Sequence, residues 1–460
     1  RSLEQSPEGG GGSSHARLIC PAFAPPRQPG DELLYTCVSA TRRCPIARTV
    51  SSELALMTKH LDPAAEAALI DALRPTAKAS PVSGIVEVFN YGRTREGLIP
   101  MWAGEGDTPT PPEIYEAAVK SLADGETFYT YQLGIPPLRE ALASYFAGLY
   151  RREFSPDEFF VTCGGMQAIQ LAFQLTLAPG EEAVILSPAW PNFAGGALIQ
   201  GASVRYVALD HGPDGWTLDL DKLFDAVTSK TKVLVINSPA NPSGWTATQD
   251  ELRAILDFAR DKGLWIIADE IYGRFYYDGE PGAVAPSFQT IREPEDHILF
   301  AQTFSKNWAM TGWRMGWLQG SPALGQIVEN HIQYNTSGVA PFMQRAGIAA
   351  IEHAEDFAKG QIDRAAAGRE IVCDTLERFE NARFARPKGA FYAFFSIRGQ
   401  EDSMATALRL VDEANIGLAP GMAFGPGAEG FYRVCYLRSP EALGEAMRRL
   451  GDWLEKQNAS

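Results

Sequence analysis

Val233-Leu234-Val235-Ile236-Asn237 and Leu264-Trp265-Ile266-Ile267-Ala268-Asp269 are two near-continuous apolar runs, each closed by a polar residue, with a helix-period segment at 248–262 between them. A strand with one wet face alternates apolar and polar residues. Runs without alternation read as strands buried on both faces, as in parallel sheets covered by helices. On either side, further strand-like runs lie at 158–162, 183–187, 204–209 and 297–304, with helix-like segments at 112–122, 136–150, 165–177 and 219–228. Strand–helix alternation of this kind predicts an α/β fold built on a doubly wound, mostly parallel sheet. The tail has a different rhythm: a long amphipathic helix at 354–379, strand runs at 389–397 and 431–437, and a last helix at 440–456. It reads as a smaller C-terminal α/β domain.

The first 56 residues stand apart. They hold a glycine run at 9–12, prolines clustered at 21–29 and no sustained period, so they are expected to be disordered and not to belong to the native chain, with Met57 the natural start. An organelle transit peptide is the alternative for 33–52, rich in Arg and Ser. The full chain has 460 residues and a net charge of −15, from 41 Lys and Arg against 56 Asp and Glu. That balance argues against nucleic acid or an anionic membrane as partner, and no apolar run approaches the ~20 residues that span a bilayer. Six cysteines without a CxxC pair suggest neither a disulfide framework nor zinc, and a cytoplasmic location is expected. The six histidines show no metal spacing.

In doubly wound sheets ligands bind beyond the carboxyl ends of the strands. The run at 158–162 leads into Gly164-Gly165-Met166-Gln167, where glycines at a helix start let backbone N–H groups approach a phosphate; alone, this is an ordinary connector. The run at 183–187 ends near Trp190, an aromatic plate or a core residue. The run at 232–237 ends in Asn237 and continues through Asn241 to Gly244, and 264–268 ends in Asp269-Glu270-Ile271-Tyr272. A carboxylate leaving an apolar strand needs a cationic partner or a helix N-terminus. The run at 297–304 leads into Ser305-Lys306 and on to Arg314; a lysine there is either solvated or a desolvated amine fit for Schiff-base chemistry. Together these residues match pyridoxal 5′-phosphate, a flat phosphorylated aldehyde carried on lysine.

Over about 85–460 the chain resembles the class I/II aminotransferases of the fold-type I pyridoxal-phosphate enzymes. The resemblance is carried by Gly104-Glu105-Gly106-Asp107, by Tyr129 to Glu140, by Gly164 to Gln167 and by Asn237 to Gly244. Asp269 to Tyr272, Ser305 to Arg314 and Arg433 to Tyr436 complete it. It implies a division into an N-terminal arm with part of the small domain (57–110), a large cofactor domain (111–348) and a small domain (349–460). It implies that Lys306 carries the cofactor and then moves the proton, that Asp269 pairs with the ring nitrogen, and that Asn241 and Tyr272 bond its 3-oxygen beneath a stacked Trp190. The phosphate would rest on the N–H groups of Gly165 and Met166, with Arg314 as countercharge and Thr303 and Ser305 as hydroxyl donors. Tyr129 would reach the phosphate of a neighbouring subunit, making a homodimer the working unit. Arg433 would grip the substrate α-carboxylate, and Gly104 would lie where an entry segment closes over the substrate.

The implied reaction is ping-pong transfer of an amino group between an L-amino acid and a 2-oxo acid such as 2-oxoglutarate. Two departures bear on it. Gly106 stands where the family commonly has proline, which should loosen the entry segment. Met166 stands where aspartate-preferring relatives often carry a lysine, and a thioether favours apolar neighbours, so neutral or aromatic donors are expected over strict aspartate specificity. The same residues would also serve a carbon–sulfur lyase or a synthase eliminating from Cβ. A non-catalytic sensor domain would need a DNA-reading module and a basic surface.

Overall fold

The computed structural model of the chain describes residues 62–212, 215–280 and 282–458. The expected disordered stretch 1–56 and the expected start at Met57 lie outside them. The chain separates into two compact units, 1–68 and 69–460. The described part of the first is the beginning of a helix, Pro63–Asp71. Every strand among the described residues belongs to the second.

Seven strands form the main sheet: β1 (Phe159–Thr162), β2 (Glu182–Ser187), β3 (Ser203–Ala208), β4 (Thr231–Asn237), β5 (Trp265–Asp269), β6 (Ile298–Thr303) and β7 (Gly316–Gln319). They lie in the order β1-β7-β6-β5-β4-β2-β3. All pairs from β6 to β3 are parallel, and β7 runs antiparallel between β1 and β6. The two-sided burial expected of the central strands holds. Val233, Val235 and Ile267 join one core with Ile169, Phe173 and Phe193. Their neighbours Leu234, Ile236, Ile266 and Ala268 join another with Leu252, Ile255 and Leu256. Successive side chains point to opposite faces, so each strand feeds both layers at once.

The helices that matter here are α1 (Gly84–Gly92), α2 (Pro112–Ala123), α3 (Pro136–Tyr150), α4 (Gly165–Thr176), α5 (Pro191–Ile199), α6 (Gln249–Lys262), α7 (Pro341–His353), α8 (Glu355–Leu376) and α9 (Pro440–Asn458). α6 shows why a segment folds where it does. Thr248 and Glu251 form a reciprocal capping box at its start, and Gly263 ends it at φ +64°. A second, antiparallel sheet contains β8 (Ala382–Arg383), β9 (Tyr392–Ile397), β10 (Ala419–Pro420) and β11 (Phe431–Cys435) in the order β8-β9-β11-β10. Residues of α8 and α9, among them Val372, Leu376, Leu443 and Leu450, complete its core. Ile99–Pro100 pairs in parallel with Ile416–Gly417, bringing the segment before Gly104 against this sheet.

The expected helix at 219–228 is shorter, Leu220–Asp225. Asp219 caps it by accepting from the N–H groups of Asp221 and Lys222, and Thr228 and Thr231 close a turn that ends it early. The strand expected at 389–397 begins at Tyr392, and that at 431–437 ends at Cys435. Among the described residues no helix is long and apolar enough to cross a membrane.

Candidate active site

A cavity of about 350 Å³ opens at the carboxyl ends of β4, β5 and β6, between the two sheets. Twelve of the residues singled out from the sequence line it: Gly104, Gly165, Met166, Trp190, Asn241, Asp269, Tyr272, Thr303, Ser305, Lys306, Arg314 and Arg433.

One end of the cavity is built for an anion. α4 starts at Gly165 directly after β1, and the N–H groups of Gly165 and Met166, in its first turn, have no intrahelical acceptor. Gly164 precedes them at φ +83°, and a Cβ there would lie 2.9 Å from Arg314 Nη2, so only glycine allows the guanidinium this close. Arg314 itself sits at φ +52° and donates from Nη1 to the Thr311 carbonyl at 2.7 Å. At the end of β6, Thr303 Oγ1 lies 2.8 Å from Ser305 Oγ and donates to the Met315 carbonyl.

The floor is held by a relay of amides. The Asn241 N–H donates to Asn237 Oδ1 at 2.8 Å, and Asn237 Nδ2 donates to the Asp269 carbonyl at 3.0 Å. Asp269, 1% exposed, accepts from the Ile271 N–H at 3.3 Å. Burial pushes its carboxyl up to about 7, against the pull of that N–H and of Lys306. Lys306 Nζ donates to the Gly104 carbonyl at 2.7 Å. Burial lowers its amine to about 8, and nearby Arg433 pushes the same way, while Cys435, Glu105 and Asp269 oppose. The Tyr272 hydroxyl is 2.8 Å from that of Tyr392, and burial raises the Tyr272 phenol well above its ordinary range.

Arg433, on β11, decides what the cavity is for. It is 2% exposed. Nη1 donates to Asn241 Oδ1 at 2.8 Å and Nη2 to the Trp102 carbonyl. Its Nε is buried without a partner, and its planar head lies over the rings of Tyr392 and Phe424. Both partners are neutral. A buried guanidinium without a carboxylate is costly unless a ligand brings one.

Tyr129 lies elsewhere. It is 95% exposed and lines a surface cleft with Phe128, Thr336 and Phe342. The cavity also has walls that sequence reasoning missed. Tyr392 looks like any aromatic of a buried strand, and Trp102 contributes through its carbonyl. Asn192, at the start of α5, donates to Met166 Sδ at 3.2 Å.

Residues 97–450 match the family model described as aminotransferase class I and II. The chain belongs to that family. An aspartate aminotransferase from Thermotoga maritima is 33% identical over 362 residues, covering 79% of this chain and 93% of its own. A probable aspartate/prephenate aminotransferase from Aquifex aeolicus is 31% identical, covering 88% and 99%. The crystal structure of an aromatic aminotransferase from Pyrococcus horikoshii superposes with a TM-score of 0.74 at 30% identity, covering 81% of this chain and all of that one. This aminotransferase is thus a pyridoxal 5′-phosphate-dependent transaminase acting between an amino acid and a 2-oxo acid.

The residues present fit that cofactor. The cavity offers a buried carboxylate without a cation in hydrogen-bond contact, free amides at a helix start, an exposed arginine beside them and a desolvated lysine between. The unpartnered Arg433 Nε leaves a place for the substrate's own carboxylate.

Proposed function

We propose that this aminotransferase takes a neutral or aromatic L-amino acid as donor and 2-oxoglutarate as acceptor, with the work divided among the residues lining the cavity. Bound pyridoxal phosphate supplies an electron-accepting ring and a carbon that exchanges oxygen for nitrogen. Lys306 would hold it covalently and, as a free amine, would be the base that carries the proton between the substrate Cα and the cofactor. Tethering places the base within reach of both atoms, and its lowered basicity leaves a substantial neutral fraction near pH 8. Asp269 would pair as a carboxylate with the ring nitrogen and keep it protonated, a pairing that burial would strengthen. Asn241 and Tyr272 would hydrogen-bond the ring's 3-oxygen and Trp190 would cover its face. Gly165, Met166, Thr303, Ser305 and Arg314 hold the phosphate, and Arg433 orients the substrate by its α-carboxylate beside Gly104. Of the Arg433 N–H groups, three remain for that carboxylate after Asn241 and Trp102 are served.

Arg433 is the observation that carries this reading: a buried cation facing the cavity with neutral partners. The donor preference rests on a second observation. Among the described residues, the cations lining the cavity are Lys306, Arg314 and Arg433, and each has a role that leaves nothing for a side-chain carboxylate. Where aspartate-preferring relatives place a lysine, the wall here is Met166 Sδ capped by the Asn192 amide.

The division into a large domain (111–348) and a small one (349–460 with part of 57–110) follows the two sheets and allows closure around the substrate. The exposed aromatics Phe128, Tyr129, Tyr131 and Tyr334 suit coverage by a second copy, with Tyr129 reaching the partner's phosphate. The free thiols Cys163, Cys373 and Cys435 suit a reducing cytoplasm. The test is the visible spectrum of the purified protein before and after adding an amino acid without a keto acid. Bleaching of the lysine-bound band by phenylalanine, tyrosine or alanine but weakly by aspartate, reversed by 2-oxoglutarate, supports the proposal; a preference for aspartate refutes the donor assignment.

A further inference from the structure

Beside the main cavity lies a second one with about 20 Å³ open to the centre of a water-sized sphere, and the Lys306 amine lies over the ring of Phe391 in its wall. Lys306 and Ser305 line both. A water needs about 10–15 Å³ of such space and two to four polar partners, so this cavity takes one molecule and no more. Its polar walls are unusual. Gln361, on α8, is 3% exposed and lines the cavity, yet its amide makes no hydrogen bond among the described residues. The amide is not sealed away from that space, so a small polar occupant of the cavity can serve its two donors and its acceptor. Glu105 lines the same space, with one carboxylate oxygen accepting from Thr311 Oγ1 at 2.7 Å. Ser305, Thr108 and Thr311 add hydroxyl-bearing side chains to the wall, which Ala309, Phe391 and Leu437 complete, so a single small polar occupant has partners there.

We propose that this cavity holds one resident water fixed by the Gln361 amide, and that through it Gln361 acts as a positioning residue that solvates the Lys306 amine whenever the amine is free. The ionisable groups facing that amine are Glu105 from the entry segment, Asp269 and Tyr272 at the end of β5, and Arg433 and Cys435 from β11. Gln361 is neutral, so its effect runs through the water and not through its own charge. An amine stripped of bulk solvent keeps its proton more readily with a polar partner beside it. The water therefore sets how much of Lys306 is neutral at working pH.

The inference rests on Lys306 being the cofactor lysine, which borohydride trapping and peptide mapping check separately; a label on another lysine would fail that assignment and leave the water to stand by its own density. The test uses the full-chain holoenzyme and two variants. Crystals of the wild type should show a water within hydrogen-bond reach of the Gln361 amide, and Gln361→Leu should lack it. In single turnovers with saturating donor, the acid limb of the rate–pH profile should fall by about 0.5–1 pH unit in Gln361→Leu. In the isosteric Gln361→Glu it should rise, since a carboxylate favours the charged amine. A dry wild-type cavity, a water that persists in Gln361→Leu, or limbs that do not move in opposite directions would overturn it.

Discussion

Replacing Arg433 by methionine should separate catalysis from folding, because the two depend on this residue to very different degrees. In the free enzyme Arg433 is a buried cation whose hydrogen bonds go to Asn241 Oδ1 and the Trp102 carbonyl. Replacing a buried ionic group with an apolar one of similar volume is often neutral or stabilising by about 1–4 kcal/mol. Against that, two neutral acceptors lose their donor at about 1–3 kcal/mol each. At mid-range the two terms leave a net loss of about 1.5 kcal/mol, so urea denaturation should find Arg433→Met folded with a modestly lowered midpoint. With substrate bound, the balance changes. Two charge-assisted hydrogen bonds to a carboxylate, each about 1.5–3 kcal/mol, put the loss of kcat/KM at roughly 10²- to 10⁴-fold. The assay compares phenylalanine with phenethylamine, which lacks the carboxylate. Wild type should prefer the amino acid, and the variant should lose that preference while retaining its rate on the amine. Equal losses on both substrates would refute the assignment, because Arg433 would then be supporting the site and not reading the carboxylate.

The proposed roles set outcomes for four further substitutions. Asp269→Asn should lower kcat by about 10²–10³-fold, the usual loss of one preorganised charge contact. In the cofactor-free protein its effect on stability has a defined sign: burial raises the Asp269 carboxyl from 3.8 to about 7, so the wild type loses stability relative to the variant as pH rises from about 4 to 7, measured by denaturation across that range. Met166→Lys should raise kcat/KM for aspartate over phenylalanine by about tenfold or more, since a charge-assisted contact of about 1.5–3 kcal/mol becomes available; an unchanged ratio would remove Met166 from substrate selection. Gly164→Ala should release the cofactor on dialysis while the fold survives, because the new methyl displaces Arg314 and sits at an unfavourable φ. On the proposed dimer, Tyr129→Phe should leave the sedimentation coefficient unchanged but weaken cofactor retention by about 10–100-fold, through loss of the proposed hydrogen bond to the phosphate.

The fold was legible where one physical rule dominated. β2, β4, β5 and β6 are apolar on both faces because helices cover both, and that pattern survives in sequence without context. β7 was not legible: Gly-Trp-Leu-Gln is four residues long, begins with glycine and lies antiparallel in an otherwise parallel stretch. β10 has two residues and is held by its neighbours. In the site, Asp269, Asn241 and Lys306 could be found because each follows a buried strand at its carboxyl end. Arg433 lies inside a strand and became visible only by resemblance to a family. Tyr392 carries no signal of its own, since its sequence context is that of a core aromatic. Gln361 looks like one more polar residue on an amphipathic helix, and only packing shows that it is buried at a cavity wall.

The reversed strand β7 has a consequence for how the anion end can fail. It begins at Gly316, where a Cβ would meet the Gln302 carbonyl oxygen at 2.4 Å and the Gly165 nitrogen at 2.8 Å. The back wall of that end is therefore main chain pressed against main chain, from three separate segments. Such a wall has no side chain to delete. Random variation that trims side chains would pass over it in silence, and alanine scanning would register it only at glycines, where alanine is an addition. That back wall, unlike the side chains of Arg314, Thr303 and Ser305 beside it, is thus vulnerable to gained atoms and indifferent to lost ones.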